Sequence, residues 1–496
     1  MADFDLVIRG GTVIDGSGAP GRTADVAITG DAIVAIGEVR GRGEAELDAG
    51  GLAVAPGFID VHAHDDAAVV RDPRVDFKVM QGVTTDVVGN CGAGVAPASD
   101  EFRRYYATGM APILGDSPLP WTTTAEYFAA VDAAHPACNV AAYVPHGVLR
   151  FAAMGLERRE PSERELERMR ELLDEGMRAG AIGMSTGLVY VPGTFARTDE
   201  LAALASVVAR YGGIYTSHIR NEGEGLLDAV AEAIAVGERG GCGVQISHHK
   251  AAGANCFGMT KASLARIAEA RARGLDVTID VYPYVASSSS LAAMWRLGRE
   301  RAFESAPAII ASVKHQHEKY EGRYVSDIAA EMDLPVGDAI RRLLEEEENS
   351  PSVIMFIMDE DDVRRVVADE HCMVGSDGLP SGGKPHPRLY GTMARVIQQY
   401  VREQPALTLE EAVRKMTSLP AAKHRLGRRG MLRTGWHADV VVFDPATVED
   451  IATYTEPRQY PRGIEYVVVN GQVAAERGRQ TDARAGRMLR REPAPA

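Results

Sequence analysis

The 496-residue chain has few cysteines, no long apolar run and no excess of positive charge. Its five cysteines are irregularly spaced, which argues against a disulfide framework and leads us to expect a reducing, cytoplasmic location. No uninterrupted apolar stretch of about 18 residues occurs and the N-terminus lacks a signal-peptide pattern, so we expect no membrane span. The net charge of −15 argues against nucleic-acid binding, which needs basic surfaces.

Both ends of the chain contain short β-rich runs separated by glycine turns, such as "DLVIRGGTVIDGSG" and "EYVVVNGQVAAE". Such runs are typical of hairpins in a small sheet. We therefore predict a small β-sandwich domain built from both termini, over residues 1–55 and 418–485. The basic stretch 486–496 is predicted to be a flexible tail.

The middle of the chain alternates strand-like and helix-like segments. Eight strand candidates between residues 56 and 417 predict an α/β fold, a (β/α)8 TIM-like barrel, with an open doubly wound sheet as the alternative. The barrel is favoured because polar residues follow nearly every strand, where barrel active sites lie. An oversized connection over residues 285–350 follows the seventh strand, so we predict a lid-like insertion there.

The first of these strands ends in "FIDVHAHDD", which places two histidines one residue apart. His62 and His64 project to the same side because alternate residues of a strand share a face. Two adjacent imidazoles are costly to bury unless a partner satisfies them, and a divalent metal is the usual partner. The alternative is a pair of solvated histidines at a strand end.

The other strand ends carry the same kinds of side chain. They are Cys91, His146, His218, His248 and Asp377. Imidazole, thiolate and carboxylate ligands on one face match what zinc prefers, so a zinc site is predicted. In "SHHK" we take His248 as the inward residue and His249 as the alternative. His146 is predicted to lie in the pocket or behind the ligands.

Several motifs together resemble the D-aminoacylase branch of the amidohydrolase superfamily, the N-acyl-D-amino-acid deacylases. They are "GFIDVHAHDD", "GVTTDVVGNCG", "GMSTGLVYVPG", "TSHIRNE", "VQISHHK", "VGSDG" and "HPRLYG". The resemblance implies one tightly bound zinc held by Cys91, His218 and His248. It implies a weaker second site at His62 and His64, with Cys91 available as a bridge.

The same resemblance implies a small-molecule substrate and a mechanism. Zinc lowers the pKa of water to about 7, and a carboxylate must carry the proton to the leaving nitrogen. Asp377 matches the family's acid–base residue. Arg388 matches the arginine that binds the substrate carboxylate, since arginine grips carboxylates bidentately. The supporting positions are Lys250, Tyr282, Ser288 and Tyr190.

The side chain of the D-amino acid is harder to predict. Val189 and Met294 suggest an apolar pocket, whereas Arg296 could bind a second carboxylate, and we favour neutral over acidic side chains. A hydantoinase-like cyclic amide hydrolase is one alternative, but such enzymes normally carry a metal-bridging lysine that "IGMSTG" lacks. A non-catalytic binding scaffold is the other alternative, although every ligand position is occupied. The oligomeric state stays open.

Overall fold

A closed barrel of eight parallel strands forms the centre of the computed structural model, which describes residues 2–296, 303, 306–380 and 382–491. In chain order the strands are β1 Phe4–Val13, β2 Arg22–Thr29, β3 Ala32–Gly37, β4 Gly43–Asp48, β5 Ala53–Pro56, β6 Phe58–Asp60, β7 Val83–Val88, β8 Asn139–Ala142, β9 Val144–Pro145, β10 Gly183–Gly187, β11 Ile214–His218, β12 Gly243–Ile246, β13 Val277–Val281, β14 Ala286–Ser290, β15 Ala308–Ser312, β16 Ser352–Phe356, β17 Cys372–Val374, β18 Val440–Phe443, β19 Ile464–Val469, β20 Gln472–Glu476 and β21 Arg479–Gln480.

Helices connect the barrel strands and cover their outer faces. In chain order they are Ala68–Arg71, Asp76–Val79, Asp100–Gly109, Ala111–Leu114, Thr124–Ala134, His146–Met154, Glu163–Ala179, Thr198–Arg210, Leu226–Gly240, Thr260–Ala272, Leu291–Arg296, Val325–Glu331, Val336–Glu346, Glu360–Ala368, Arg388–Arg395, Val396–Glu403, Leu409–Met416 and Ser418–Lys423. Their ends follow local sequence signals. The helix after Ser162 starts with a capping box to Glu165 and ends at Gly180, whose φ of 110° suits glycine.

Hydrogen bonds run around the barrel through β6, β7, β8/β9, β10, β11, β12, β13 and β17. Strands β8 and β9 are one strand interrupted at Tyr143. The ring closes between β6 and β17, where Val61 N donates to Val374 O at 3.4 Å and Ala63 pairs with Gly378. The predicted (β/α)8 barrel is therefore confirmed. Its strands are buried on both faces, which explains their near-continuous apolar sequences.

The two ends of the chain form one nine-stranded sheet in the order β21-β20-β19-β18-β5-β1-β2-β3, with β4 beside β1. The antiparallel pairing of β5 with β18 joins the N-terminal and C-terminal strands. Hydrogen bonds thus connect all these strands into one continuous sheet, and the β-sandwich arrangement stays a prediction. An apolar cluster from seven of the strands, including Ile8, Val26 and Val440, forms the core of this domain.

Two predicted boundaries differ from the structure at the C-terminal side. Residues 418–426, assigned to the β-domain, pack instead in the barrel, where Ala421 and Leu426 join a buried cluster with Ile59 and Val61. The predicted flexible tail is ordered over residues 486–491. Leu489 N donates to Val140 O at 2.6 Å, because the apolar side chain of this residue and its neighbour find a buried place beside β8. Residues 492–496 lie outside the described part.

The insertion after β13 folds as a small antiparallel sheet in the order β14-β16-β15, with three α-helices among its described residues. Its central strand β16 ends at Phe356, so the insertion extends beyond the predicted residue 350. Strand β14 contributes Ser287–Ser290 to the wall of the cavity described below. In the described residues, no helix combines the length and apolarity that crossing a membrane would require.

Candidate active site

The predicted metal ligands converge at the carboxyl ends of the barrel strands. Cys91 Sγ lies 3.2 Å from His62 Nε2 and 3.4 Å from His248 Nε2. Three sets of donor atoms lie within 4.8 Å of one another and are buried: His62, His64 and Cys91; Cys91, His218 and His248; and His62, His248 and Asp377. Because the first two sets share Cys91, its sulfur could serve as a metal ligand in both sets.

Three of these residues have left-handed backbone conformations. The φ angles are 54° at Cys91, 35° at His248 and 50° at Asp377. Non-glycine residues rarely adopt such angles, and each instance costs about 1–3 kcal/mol. The chain turns sharply at each position as it leaves its strand, which directs the side chain over the barrel mouth. Strain of this kind concentrates at functional sites.

The thiol of Cys91 is poised to ionise. Burial acts to raise its pKa, but the charges of His62 and His248 outweigh this effect and hold the pKa of Cys91 well below its ordinary value. The thiolate is the form that binds metals. A buried thiolate surrounded by imidazoles therefore fits a zinc site by the chemistry of its donors.

Asp377 lies at the edge of the donor cluster. Its Oδ1 is 3.1 Å from His64 Nε2 and 3.5 Å from His62 Nε2, while Oδ2 is 3.0 Å from Arg388 Nη2. Burial acts to raise the pKa of Asp377, but Arg388 and His62 lower it well below the ordinary value. The carboxylate is therefore ionised at neutral pH and available to accept a proton.

Arg388 is fully buried behind Asp377 and stacks on Tyr282, with Cζ 4.3 Å from the ring centroid. It also donates to Ser288 O at 3.4 Å. Nε and Nη1 of Arg388 and the hydroxyl of Tyr282 have no hydrogen-bond partner among the described residues. Buried donors without partners are rare, so these three atoms mark a place where an acceptor is missing.

Glu222 is a functional candidate that the sequence analysis missed. It is 5% exposed, accepts a hydrogen bond from Lys250 Nζ at 2.6 Å, and lies 3.0 Å from His248 Nδ1. The opposite ring nitrogen of His248 faces Cys91. Such carboxylate partners fix the orientation of metal-binding histidines. Glu222 stands in the motif "TSHIRNE", and its position four residues after His218 was the available signal.

Asp280 is a second residue that the sequence analysis missed, and it orients His62 as Glu222 orients His248. Its Oδ1 lies 3.2 Å from His62 Nδ1 and accepts the backbone N–H of His248 at 2.8 Å. Gln245 donates to the other oxygen at 2.6 Å. A carboxylate in the buried strand "VTIDV" was the sequence signal, because an isolated charge is costly to bury.

Lys78 lies at the centre of a buried acidic cluster next to the segment after β6 that carries His62 and His64. Its ammonium group contacts Asp60 at 2.5 Å, Asp65 at 2.9 Å and Asp86 at 3.2 Å, and donates to Ser376 Oγ at 3.1 Å. All four charged side chains are 0% exposed. Lys78 thus connects the segment that carries the histidines to the residue preceding Asp377.

The remaining predicted residues divide into two groups. Lys250, Tyr282, Tyr190 and Ser288 line the same cavity as the metal donors, and the hydroxyl of Tyr190 lies 3.4 Å from that of Ser289. His146 turns away from the cluster and pairs with Glu200 at 2.9 Å. His249 also turns outward, and its Nε2 lies 2.8 Å from Ser263 Oγ.

The donor cluster opens into a cavity of about 740 Å³. Tyr282, Asp377 and Ser287–Ser290 line it, and so do apolar residues such as Phe102 and Val191. This volume is within the range of about 300–1,000 Å³ that is typical of small-molecule sites. The side chain of Arg296, a candidate for binding an acidic substrate, lies outside the described part of the structure.

Comparison with known proteins assigns the chain to a family. The amidohydrolase family profile matches residues 45–475. The chain belongs to the amidohydrolase family. An N-acyl-D-glutamate deacylase of Alcaligenes xylosoxydans xylosoxydans is 46% identical over 99% of this chain and 97% of its own length. A D-aminoacylase of the same organism is 41% identical over 99% of this chain and 98% of its own length.

A solved structure shares the fold of this amidohydrolase closely. It is the N-acyl-D-glutamate deacylase of Bordetella bronchiseptica in complex with zinc and a phosphonate inhibitor that mimics the tetrahedral intermediate of the reaction. The TM-score is 0.92 at 43% identity, covering 98% of this chain and 99% of the other. The buried donor set of the present amidohydrolase suits the same metal.

Proposed function

We propose that this amidohydrolase uses zinc to hydrolyse the amide bond of N-acyl-D-amino acids, releasing a carboxylate and a free D-amino acid. The observation that carries the proposal is the position of Asp377, an ionised carboxylate 3.1 Å from His64 at the edge of a donor cluster that shares the thiolate of Cys91. The names of the relatives supply the substrate class and its handedness.

Each metal position has its own set of residues in this proposal. Cys91, His218 and His248 hold the tightly bound zinc, and His62 and His64 form the weaker second position with Cys91 as the shared ligand. Bound zinc would polarise the scissile carbonyl and lower the pKa of a water molecule to about 7. Glu222 and Asp280 hold the ligand imidazoles in place from behind.

Asp377 moves the proton. Its carboxylate accepts a proton from the attacking water and then donates it to the amide nitrogen, because an amine anion is too basic to leave unprotonated. Arg388 supports the ionised form from the opposite oxygen, at 3.0 Å. His146 takes no part, since it pairs with Glu200 away from the donor cluster.

The α-carboxylate of the substrate binds on the side of Tyr282. The phenol of Tyr282 and two nitrogens of Arg388 are buried donors without partners, which is the arrangement that a carboxylate would satisfy. Lys250 adds positive charge 5.4 Å from the Tyr282 ring, and Ser288 and Tyr190 line the adjoining wall. Fixing both the carboxylate and the carbonyl sends the two enantiomers' side chains in different directions.

The side chain of the D-amino acid is assigned as neutral, from the apolar character of Val189 and Met294 in the cavity wall. An acidic side chain is the second candidate. It is favoured by the 46% identity to a protein named as an N-acyl-D-glutamate deacylase. The two candidates differ in one measurable quantity, the ratio of kcat/KM for N-acetyl-D-leucine to that for N-acetyl-D-glutamate.

The test is turnover of the zinc-loaded protein on N-acetyl-D- and N-acetyl-L-forms of leucine, methionine, glutamate and aspartate, followed by release of free amine. We expect release from D-forms only and one equivalent or more of zinc in the purified protein. Release from hydantoin or dihydrouracil alone would replace the proposal with cyclic-amide hydrolysis. A protein that binds no zinc and turns over none of these compounds would be a binding scaffold.

A further inference from the structure

The cavity has an apolar side that the proposed chemistry leaves without a ligand. Six residues form it, and we call them the acyl wall: Phe102, Tyr105, Met110, Leu156, Val191 and Phe195. They come from the segments that follow β7, β9 and β10. Among the described lining residues of these three segments, Arg158 is the one of a charged type, and its guanidinium lies over the ring of Phe195, 5.7 Å from the centroid.

Two members of the acyl wall are apolar side chains open to solvent. Leu156 is 44% exposed and Val191 is 41% exposed, and both lie at the cavity mouth. Deeper in the wall, Phe102 is 1% exposed and its ring centroid lies 5.4 Å from that of Phe151, which fixes its position. Exposed apolar groups that continue into a buried apolar surface typically mark a binding site for an apolar group.

The topology of the barrel places the acyl wall opposite the carboxylate side of the cavity. In a closed ring of eight strands, β8/β9 lies across from β13, and β10 lies across from β17. Strand β13 leads to Tyr282 and β17 leads to Asp377 and Arg388. The segments after β9 and β10, which carry Leu156, Val191 and Phe195, therefore face the proposed carboxylate site across the metal donors.

The geometry of an amide then decides which part of the substrate meets the acyl wall. A secondary amide is planar and trans, so its acyl chain and its Cα leave in opposite directions from the C–N bond. With the α-carboxylate on the side of Tyr282 and the amide over the donors, the acyl chain is directed at the acyl wall. A cavity of about 740 Å³ leaves room for far more than an acetyl group.

Resting on the proposed function, we propose that the acyl wall binds the acyl group of the substrate and that this group is medium-chain or aromatic rather than acetyl. Burial of added methylene groups against Phe102, Leu156 and Val191 favours longer chains. The chemistry of the reaction places the released product in the class of medium-chain or aromatic carboxylic acids.

The experiment compares N-acetyl, N-butyryl, N-octanoyl and N-phenylacetyl derivatives of D-leucine and of D-glutamate with the zinc-loaded protein. We expect kcat/KM to rise at least about tenfold from acetyl to octanoyl. The variant Val191→Asp should lower the octanoyl-to-acetyl ratio at least about fivefold, because the chain would meet a carboxylate. Val34→Asp is the matched control, a 38% exposed valine of β3, and should leave that ratio unchanged.

A second readout does not depend on turnover. Calorimetric titration of the zinc-loaded protein should show octanoate binding at least about tenfold more tightly than acetate, and Val191→Asp should remove the difference. Equal kcat/KM values across the chain lengths, equal binding of the two acids, or an unchanged ratio in Val191→Asp would overturn the acyl assignment. If no N-acyl-D-amino acid is turned over, the proposed function fails, and the titration still decides whether the wall binds acyl chains.

Discussion

Glu222 accepts a hydrogen bond from Lys250 at 2.6 Å in a pocket where both side chains are 5% exposed. The same carboxylate lies 3.0 Å from His248 Nδ1, so it joins a residue of the proposed carboxylate site to a proposed zinc ligand. Burial acts to raise the pKa of Glu222, but Lys250 and His218 hold it well below its ordinary value. The metal side and the substrate side of the cavity are therefore coupled through one ionised group.

Replacing Glu222 with glutamine should reduce both activity and zinc affinity. The amide is neutral and orients His248 less well, and losses of about 10- to 100-fold are typical of such partners. Competition with a chelator measures zinc affinity, and the D-amino-acid assay measures kcat/KM. Glu224→Gln is the control, because Glu224 lies two residues away, is exposed and accepts a hydrogen bond from Asn255. Equal effects of the two substitutions would contradict the role given to Glu222.

Asp377→Asn should abolish most of the activity while zinc binding persists. Loss of a general acid–base residue costs about 10²- to 10⁴-fold in rate, since the amide of asparagine cannot take the proton. We expect the effect in kcat, with zinc content by elemental analysis equal to that of the unchanged protein. Asp361→Asn, on the exposed first turn of a helix, should change neither quantity. An Asp377→Asn protein with near-normal kcat would exclude the proposed proton transfer.

Lys78→Met should destabilise the protein by about 3–5 kcal/mol, because removing one partner leaves buried carboxylates uncompensated. Asp60, Asp65 and Asp86 all face the missing charge. The free energy of unfolding in urea measures the loss. Lys319→Met, at a side chain that is 60% exposed, should change stability by no more than about 0.5 kcal/mol.

The double variant Lys78→Met with Asp86→Asn is a second test of whether the charge of Lys78 compensates the buried carboxylates. Removing one carboxylate relieves part of the repulsion, so the double variant should be more stable than the sum of the two single effects predicts. Strict additivity would mean that Lys78 does not act through this cluster.

His424 should make stability depend on pH. Burial lowers its pKa from the ordinary 6.5 to about 4. The neutral ring lies 2.7 Å from the hydroxyl of Tyr143 at Nε2 and 2.8 Å from Pro420 O at Nδ1. Below pH 6.5 the unfolded chain binds a proton that the folded chain does not, so this contribution to stability falls as the pH drops from about 6.5 to 4.

The loss from His424 should reach up to about 3 kcal/mol. His424→Gln removes the titrating group, so its stability should fall less between pH 7 and pH 5 than that of the unchanged protein. Urea unfolding at both pH values gives the two differences, in which the contributions of other groups cancel. Equal differences for the two proteins would show that His424 does not titrate between the folded and unfolded states.

The sequence predicted the barrel and the positions of the metal donors because both follow short-range rules. Alternation along the segment that continues β6 placed His62 and His64 on one side, and the carboxyl ends of parallel strands meet on one face. The residues that support the donors were harder to find. Glu222 and Asp280 act through contacts between different strands, and no spacing along the chain reports such contacts.

The backbone conformation of the site residues was a second feature that the sequence analysis did not predict. The residue types of Cys91, His248 and Asp377 do not by themselves determine their left-handed φ angles. The C-terminal tail is a third feature for which the sequence-based expectation and the structure differ. The predicted flexibility rested on the basic residues of "ARAGRMLRREPAPA", whereas burial of Met488 and Leu489 beside the barrel decides the outcome. Burial of an apolar pair against the folded protein can order a segment even where the local composition is basic.

The pairing of β5 with β18 has a consequence for how the chain folds. Pro56 lies opposite Val440, so this edge of β5 has no strand beside it until β18 has been synthesised. An open apolar edge is a template for pairing with other chains. Contacts of such long sequence separation also slow folding. Pairing with β18 therefore protects the edge of β5 in the newly made protein from self-association.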